Sequence, residues 1–365
     1  MMKTIFKSLQ LVRTMLLIAA ISFMFAGCDN DGGEVIPVPP YSPYLNNGVF
    51  VLNEGNFGSG NGSLSFLNLD SLKMSDDIFY TKNQRPLGDV PLSLMLRDST
   101  IWIVVNNSGR IEVAHRQDLA SVAVISGMTS PRNILPLLDG RAYVSDLASP
   151  AIHIIDMNNY AITGSIPVNQ PTEALVPVEG KVFAACWSNY GFEDHTNNKV
   201  LVIDPLTNLV VDSVMTGKEP QSMVVDKNEK LWVLCSGGWM GDEFPTLYRI
   251  NPRSLQAERI YTFDDVDSSP SSLCANGNAD SLYFINGGIY AMSISDANLP
   301  GQPLIEPDTH LLYTLAVHPK TSEIFATDAI DYQQKGLVLR YRANGTFIAE
   351  YRTGLIPGKM TFTAK

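Results

Sequence analysis

The sequence predicts an all-β fold, a seven-bladed β-propeller, on three observations. A four-strand unit recurs, prolines mark its start at intervals of 40 to 50 residues, and the two chain ends complete one another. Each copy opens near a proline, runs through a short apolar strand, turns on polar residues and enters an aromatic-rich strand. A third strand, often ending in Asp and a turn, and a fourth then close the unit. The openings are Pro91-Leu92-Ser93, Pro131-Arg132-Asn133, Pro171-Thr172-Glu173, Pro220-Gln221-Ser222 and Pro270-Ser271-Ser272, followed by a proline-less version at Leu312-Tyr313-Thr314. Successive prolines lie 40, 40, 49 and 50 residues apart. One such sheet cannot bury both faces alone, so its neighbours must do it.

The ends set the count at seven. Gly48-Val49-Phe50-Val51-Leu52-Asn53 matches the second strand of a blade, as in Leu231-Trp232-Val233-Leu234, and lacks a first strand of its own. Pro357-Gly358-Lys359-Met360-Thr361-Phe362 supplies that strand from the C-terminus, which ties both ends into one sheet. Ile101-Trp102-Ile103-Val104-Val105 and Lys199 to Asp204 are short β-branched runs bounded by turn residues, and no long stretch carries apolar residues at helical spacing. With 27 Gly and 22 Pro in 365 residues, 45% hydrophobic and 17% charged, the composition suits one large turn-rich domain. Asp204 to Asn208 and Asn251 to Ser254 read as tight turns between third and fourth strands.

The N-terminus reads differently. Lys3, Lys7 and Arg13 precede an apolar run, Met15 to Phe25, that ends in Phe25-Ala26-Gly27-Cys28. A positive flank, a short apolar core and small residues before a cysteine make a secretory signal, and the run is too short for a membrane span. With Cys at the cleavage point it resembles a bacterial lipoprotein signal. Residues 1–27 are then the signal peptide, Cys28 the lipidated residue, residues 28–43 an acidic and then Pro-rich tether, and residues 44–365 the propeller. The acidic cluster of Asp29, Asp31 and Glu34 resembles the surface-export signal of Bacteroidetes lipoproteins. The expected location is therefore the outer membrane, at the cell surface and lipid-anchored. A formal net charge of −11 argues against nucleic acid and against adsorption to an anionic membrane.

Cys186, Cys235 and Cys274 remain in the mature domain, an odd number, so at least one is unpaired. They read as small buried hydrophobes, since no Cys-x-x-Cys or histidine cluster accompanies them; no metal site is expected.

In a propeller, the loops joining second to third strands and the linkers joining blades emerge on one face, around the channel. Here those loops carry Asn53, Glu54, Asn56 and Phe57 in blade 1, Asn106 in blade 2 and Asp146 in blade 3. Blade 4 adds Trp187 and Tyr190, blade 5 adds Trp239, and blade 7 adds Asp328 and Tyr332. The linkers bring Arg85, Asp89, Arg132, Glu173 and Glu219. Aromatic platforms among amide donors and acceptors suit a large, flat, amide-bearing ligand. Each of these residues also has an ordinary reading, as a plug over the channel mouth or a turn cap. The loops of blades 4 and 5 account for the extra nine and ten residues of those blades, and loops of that length are more often functional than accidental.

Catalysis has little in its favour. His115, His153, His195, His310 and His318 are scattered, and there is no Gly-x-Ser-x-Gly elbow or phosphate-cradling glycine loop. Asp328 and Asp331 facing Glu54 across the seam of the last and first blades is the one carboxylate pairing on offer, and acidic turn residues ordinarily bond backbone amides. The chain is expected not to be an enzyme and to need no cofactor.

The loop text resembles a known family. Asn53-Glu54-Gly55-Asn56-Phe57, Leu87-Gly88-Asp89-Val90, Trp102 to Ser108, Ser130-Pro131-Arg132, Cys186-Trp187-Ser188, Asp328 to Gln334 and Ile356-Pro357-Gly358 resemble the YncE-like, "surface layer protein" propellers of Bacteroidetes. Within these, the chain is similar to the surface lipoproteins that capture cobalamin beside a TonB-dependent vitamin B12 transporter. The resemblance covers Gly48 to Gly358. It implies tight, non-catalytic binding of a corrinoid, cobalamin, by a monomeric domain that hands it to the transporter. It also implies that the corrin plane meets Trp187, Tyr190, Trp239 and Tyr332 while its peripheral amides meet Asn, Gln, Arg and carboxylates. His195 is the one imidazole in a ligand-facing loop, and cobalamin brings its own lower base. The competing expectation is a surface propeller for adhesion or glycan or protein binding, in which Trp187, Trp239 and Phe57 form an exposed patch instead of lining a cavity.

Overall fold

Alternation along each strand decides the architecture. In Gly48–Asn53, Phe50 and Leu52 pack toward one neighbouring blade while Val49 and Val51 pack toward the other. In Thr100–Val105, Ile101, Ile103 and Val105 meet the first of these clusters while Trp102 and Val104 enter the next. Strands buried on both faces in this way need a sheet on either side, and a closed ring provides one for each.

The computed structural model describes residues 42–193 and 195–363. The signal segment, Cys28 and the tether through residue 41 lie outside the described residues. From Ser42 onward the chain forms one compact unit. Seven sheets follow. Blade 1 comprises Gly48–Asn53, Ser63–Asn68 and Lys73–Ser75, and blade 2 runs from Pro91–Arg97 to Ser121–Ser126. Blade 3 runs from Pro131–Pro136 to Ala161–Pro167, blade 4 from Leu175–Val178 to Leu209–Met215, and blade 5 from Pro220–Val225 to Gln256–Thr262. Blade 6 starts at Ser271–Ala275 and blade 7 spans Leu312–Val317 to Phe347–Leu355. The C-terminal strand Pro357–Phe362 pairs antiparallel with Gly48–Asn53, Val49 opposite Phe362 and Val51 opposite Met360, and becomes the innermost strand of blade 1. The closure expected from the two ends is the one observed.

Each of the seven seams between blades holds its own cluster of buried side chains. Fully burying one Val, Leu, Ile or Phe is worth about 1.5–3 kcal/mol, so the stability of the ring is spread over its seams. A short helix, Ile78–Asn83, lies between blades 1 and 2 and inserts Ile78 and Phe79 into their seam. Cys186, Cys235 and Cys274 are free thiols; the first two are buried in seams, as expected of small hydrophobes.

One expectation fails. Blade 6 has three strands, Ser271–Ala275, Ser281–Asn286 and Gly288–Ser293, where four were anticipated. The segment that follows carries Pro300, Pro303 and Pro307, which donate no N–H to a ladder, and it meets the edge only at an isolated bridge between Ile289 and Ile305.

Candidate functional site

The side chains around the channel mouth are aimed by a backbone tie that repeats. In three linkers the residue before the opening proline is left-handed: Val90 at φ 55°, Glu219 at φ 55° and Ile356 at φ 52°. Each of their carbonyls accepts the N–H just past the second strand of a blade, from Asn106 at 2.8 Å, Ser236 at 3.2 Å and Glu54 at 2.8 Å. A β-branched residue at positive φ is costly, and the ties hold Val90 and Ile356 there. The result places Glu54 and Asn106 at equivalent stations on the ring.

A cavity of about 590 Å³ opens on this face. Five blades contribute: Glu54 and Phe57 from blade 1, Asn106 from blade 2, Arg132 from blade 3, Tyr190 from blade 4 and Tyr313 from blade 7. Phe57 and Tyr190 are 77% and 75% exposed, two aromatic faces at its rim. The floor is polar. Arg132 Nε donates to Glu173 Oε2 at 2.6 Å and its guanidinium lies 5.6 Å from the Trp187 ring. Tyr313 donates its hydroxyl to Glu54 Oε2 at 3.1 Å, and its ring stands edge-on to Tyr332 at 5.9 Å.

Burial pushes the Glu54 carboxyl up to about 7, against the opposing pull of the Tyr313 hydroxyl and the Arg132 charge, with Glu173 adding repulsion. Burial, and then Glu54 itself, raises Tyr313. For Arg132, burial opposes the charge, but Glu173 and Glu54 outweigh it and the pKa rises. The floor is thus a short chain of interdependent groups, Glu173–Arg132 and Glu54–Tyr313, with a carboxyl that titrates near neutrality.

Of the thirteen anticipated ligand-binding residues, Glu54, Phe57, Asn106, Arg132 and Tyr190 line the cavity directly. Glu173 and Trp187 contact Arg132, and Tyr332 packs on Tyr313. Asn56 donates to the Tyr332 carbonyl at 2.8 Å, which ties the loops of blades 1 and 7 together. The structure reassigns three others. Asn53 is buried, accepts from Thr353 Oγ1 and Gly354 N, and donates to Ser63 and Ser65. Asp146 is buried, accepts the N–H groups of Thr129, Ser130 and Ala148, and lies 3.2 Å from His153 Nε2. Asp328 does the same for Leu311 and Ile330 and lies 2.7 Å from His310 Nδ1. Asn53 and Asp146 have no lone pair to spare for a ligand, and Asp328 spends Oδ1 on two backbone N–H groups and Oδ2 on His310, because the strand ends and linkers beside them need their N–H groups satisfied. Trp239 is 89% exposed and lines no part of this cavity.

The carboxylate pairing across the blade 7–blade 1 seam does not form either: Asp331 accepts from Gln333 N, Gln334 N and Gln334 Nε2 of its own loop, and Glu54 turns to Tyr313. No group of three or more His, Cys, Asp or Glu side chains among the described residues could hold a metal. Reading the loops alone missed Tyr313 and Lys359, which sit on innermost strands. Their signal was a polar residue in a run otherwise facing the channel.

Below the cavity lies the central channel, about 370 Å³, lined by the innermost strands and sharing Leu92 and Arg132 with the cavity above.

Comparison with known proteins adds the family and the fold. The model of a family described as a domain of unknown function (DUF5074) matches residues 47–355. No curated protein matches the chain. Among solved structures, the chain is similar to a quinonprotein alcohol dehydrogenase-like protein from Bacteroides thetaiotaomicron, at 12% identity and a TM-score of 0.68 over 89% of this chain and 79% of that one. A functionally unknown protein from Desulfotomaculum acetoxidans matches at 11% identity and a TM-score of 0.61 over 87% and 99% of the two chains. Hydrazine synthase of Kuenenia stuttgartiensis matches at 13% identity and a TM-score of 0.57 over 73% and 88%. At such identities these structures speak for the fold alone, which agrees with a YncE-like propeller. With its matched span covering nearly the whole propeller, the chain belongs to the DUF5074 family.

Proposed function

We propose that this propeller is a non-catalytic capture protein that binds a corrinoid in the cavity at its channel mouth. In this reading the protein is lipid-anchored through Cys28 at the outer surface of the outer membrane, and passes the ligand to a TonB-dependent transporter. The observation that carries the reading is the cavity itself: loops and innermost strands of five blades converge on about 590 Å³ with two exposed aromatic faces above a hydrogen-bonding floor. Pockets of a few hundred Å³ that combine aromatic walls with a few placed polar groups are the usual form of a small-molecule site. Phe57 and Tyr190 offer surfaces to a broad planar ligand, and Asn106, Arg132, Glu54 and Tyr313 offer donors and acceptors to peripheral amides. Closed-ring packing preforms the site, which keeps the entropic cost of binding low. The floor groups already engage one another, which favours holding a ligand over transforming it.

The test is titration of Ser42–Lys365 with cyanocobalamin, read by calorimetry, melting temperature and quenching of tryptophan emission, with Trp187 lying 5.6 Å from the Arg132 guanidinium of the floor. Saturable one-to-one binding at nanomolar affinity or tighter, with a raised melting temperature, is expected. No heat, no quenching and no thermal shift at excess ligand would remove the corrinoid from consideration.

A second reading has its own observation. Trp239, Met240 and Phe244 are exposed together on the loop of blade 5, outside the cavity, as a surface that contacts a macromolecule would be. It predicts retention of the propeller on glycan or protein ligands that Trp239→Ala abolishes while leaving cyanocobalamin binding intact.

A further inference from the structure

The channel under the cavity holds a cation with nothing to answer it. Lys359, on the innermost strand of blade 1, lines the channel. Among the described residues its ammonium makes no hydrogen bond and has no carboxylate within ion-pairing distance. Channel water reaches it, yet protein surrounds it closely enough that burial lowers its pKa, with Cys274 and Glu173 pulling the other way. The acid that lines the channel with it cannot satisfy it, because Glu173 places Oε2 on Arg132 Nε at 2.6 Å and Oε1 3.3 Å from Asn133 Nδ2. Arg132, which lines both compartments, engages Glu173 through Nε; its terminal Nη groups have no protein acceptor among the described residues. Two sets of charged donors are therefore unspent, Lys359 in the channel and the Arg132 Nη groups where the channel meets the cavity, in a protein whose formal net charge is −11. A donor-rich pocket walled by protein favours an anion far more than the same groups would on an open surface.

We propose that the channel is an oxyanion subsite of the cavity above it, in which Lys359 and the Nη groups of Arg132 take a carboxylate or phosphoester arm of the ligand whose body fills the cavity. The inference rests on the cavity being a small-molecule site. Glu54, which lines the cavity above and accepts the Tyr313 hydroxyl at 3.1 Å, feels the same Arg132 charge that the anion would take up, so an arriving anion favours its protonated form and binding takes up protons near neutral pH.

The experiment uses the Ser42–Lys365 propeller, which closes its ring and carries its own seams, as wild type, Lys359→Met and Lys359→Arg. In the first arm each protein is titrated with inorganic phosphate and, separately, acetate, following melting temperature and calorimetric heat in two buffers of different ionisation enthalpy. Saturable binding is expected in wild type and in Lys359→Arg, with a roughly 10- to 100-fold loss in Lys359→Met, the worth of one charge-assisted hydrogen bond. Preference for phosphate assigns a phosphoester, and preference for acetate a carboxylate. In the second arm cyanocobalamin, which carries a phosphodiester, is compared with dicyanocobinamide, which does not. Lys359→Met should weaken the former by a similar factor and leave the latter unchanged. If neither corrinoid binds but the first arm responds to Lys359, the corrinoid reading falls and the oxyanion subsite stands. Absence of any response to phosphate or acetate in wild type, or an equal loss in Lys359→Met and Lys359→Arg, overturns the subsite.

Discussion

Blades 7, 1, 2, 3 and 4 build the cavity, whereas blades 5 and 6 add no residue to it, although blade 5 carries one of the two long loops. The contrast lies in where each loop spends its hydrogen bonds. On the cavity side, the loops of blades 1, 2 and 7 tie to their neighbours: Asn56 to the Tyr332 carbonyl, Gly58 N to Asp89 at 2.8 Å, Asn107 to the same carboxylate. On the other side the blade 5 loop folds back on its own base. Glu243 N bonds Gly237 O at 3.0 Å, Trp239 N bonds Glu219 at 3.1 Å, and Lys218 pairs with Asp242 at 3.1 Å. Gly237, at φ +87°, sits against the Glu243 carbonyl, so the turn needs glycine there and sends Trp239 outward. In blade 6 the corresponding loop shrinks to a hairpin, Asn286 opposite Gly288, with nothing to project. Loop length alone does not make a site: the blade 4 loop also bonds within itself, Tyr190 N to Ser188 Oγ at 3.0 Å, yet brings Tyr190 to the rim, whereas the blade 5 loop turns Trp239 away.

The largest effect should come from cutting the floor where the two compartments meet. Arg132→Ala strands the largely buried Glu173 carboxylate and frees the Trp187 ring, and losing one partner of a buried pair costs about 3 kcal/mol or more. A clear drop in melting temperature should accompany loss of ligand binding by at least two orders of magnitude. A control on the far side, Arg253→Ala, breaks a pair whose arginine is 74% exposed and should change neither measurably. Equal behaviour of the two variants would erase the distinction between the halves.

Next is Glu54. Its carboxyl holds its proton to about pH 7 in the folded protein, above the ordinary 4.5, so the native state binds more protons than the unfolded chain between those values. Stability contributed by the neutral form is complete below about pH 4.5 and lost as pH rises through 7. Glu54→Gln keeps a neutral group in place at every pH. It should match wild type near pH 4 and exceed it at pH 8, by on the order of 3 kcal/mol before allowance for solvent in the open cavity. Denaturant unfolding from pH 4 to 9 checks this: a wild-type pH slope unchanged by the substitution would place the titrating group elsewhere.

The ring was legible because the physics that closes it is written with period two and punctuated by proline. Val49, Val51 and Met360 lie in one seam and Phe50 and Leu52 in the next for the reason that made them recognisable as strands. The missing fourth strand of blade 6 was written in Pro300, Pro303 and Pro307, but a period that tolerates 40 to 50 residues hides one irregular segment. The site was legible in part. Glu54, Phe57, Asn106, Arg132 and Tyr190 stood out as loop residues on the right face, and so did Asn53, Asp146 and Asp328. The same amides and carboxylates that suit a ligand also cap backbone N–H groups, and only three-dimensional partners separate the two uses. Tyr313 and Lys359 escaped because they occupy strands, where a polar residue facing the channel looks like any other alternation.

The smallest expected effect is the sharpest test of the comparison, since it sets like residues against each other. Phe57, Tyr190 and Trp239 are all exposed aromatic loop residues, at 77%, 75% and 89%. Phe57 and Tyr190 frame the cavity; Trp239 does not. Truncating either of the first two to Ala removes an aromatic face worth about 1 kcal/mol to a stacked ligand, a roughly fivefold to tenfold loss of affinity. Trp239→Ala should leave affinity within about twofold, because no contact is lost. None should shift the melting temperature much, since each ring is solvated in the free protein. Calorimetric titrations of the three variants with cyanocobalamin give the answer directly. If Trp239→Ala proved as damaging as Phe57→Ala, the blade 5 loop would have to swing over the mouth in the bound state, and the two halves of the ring would differ only until a ligand arrived.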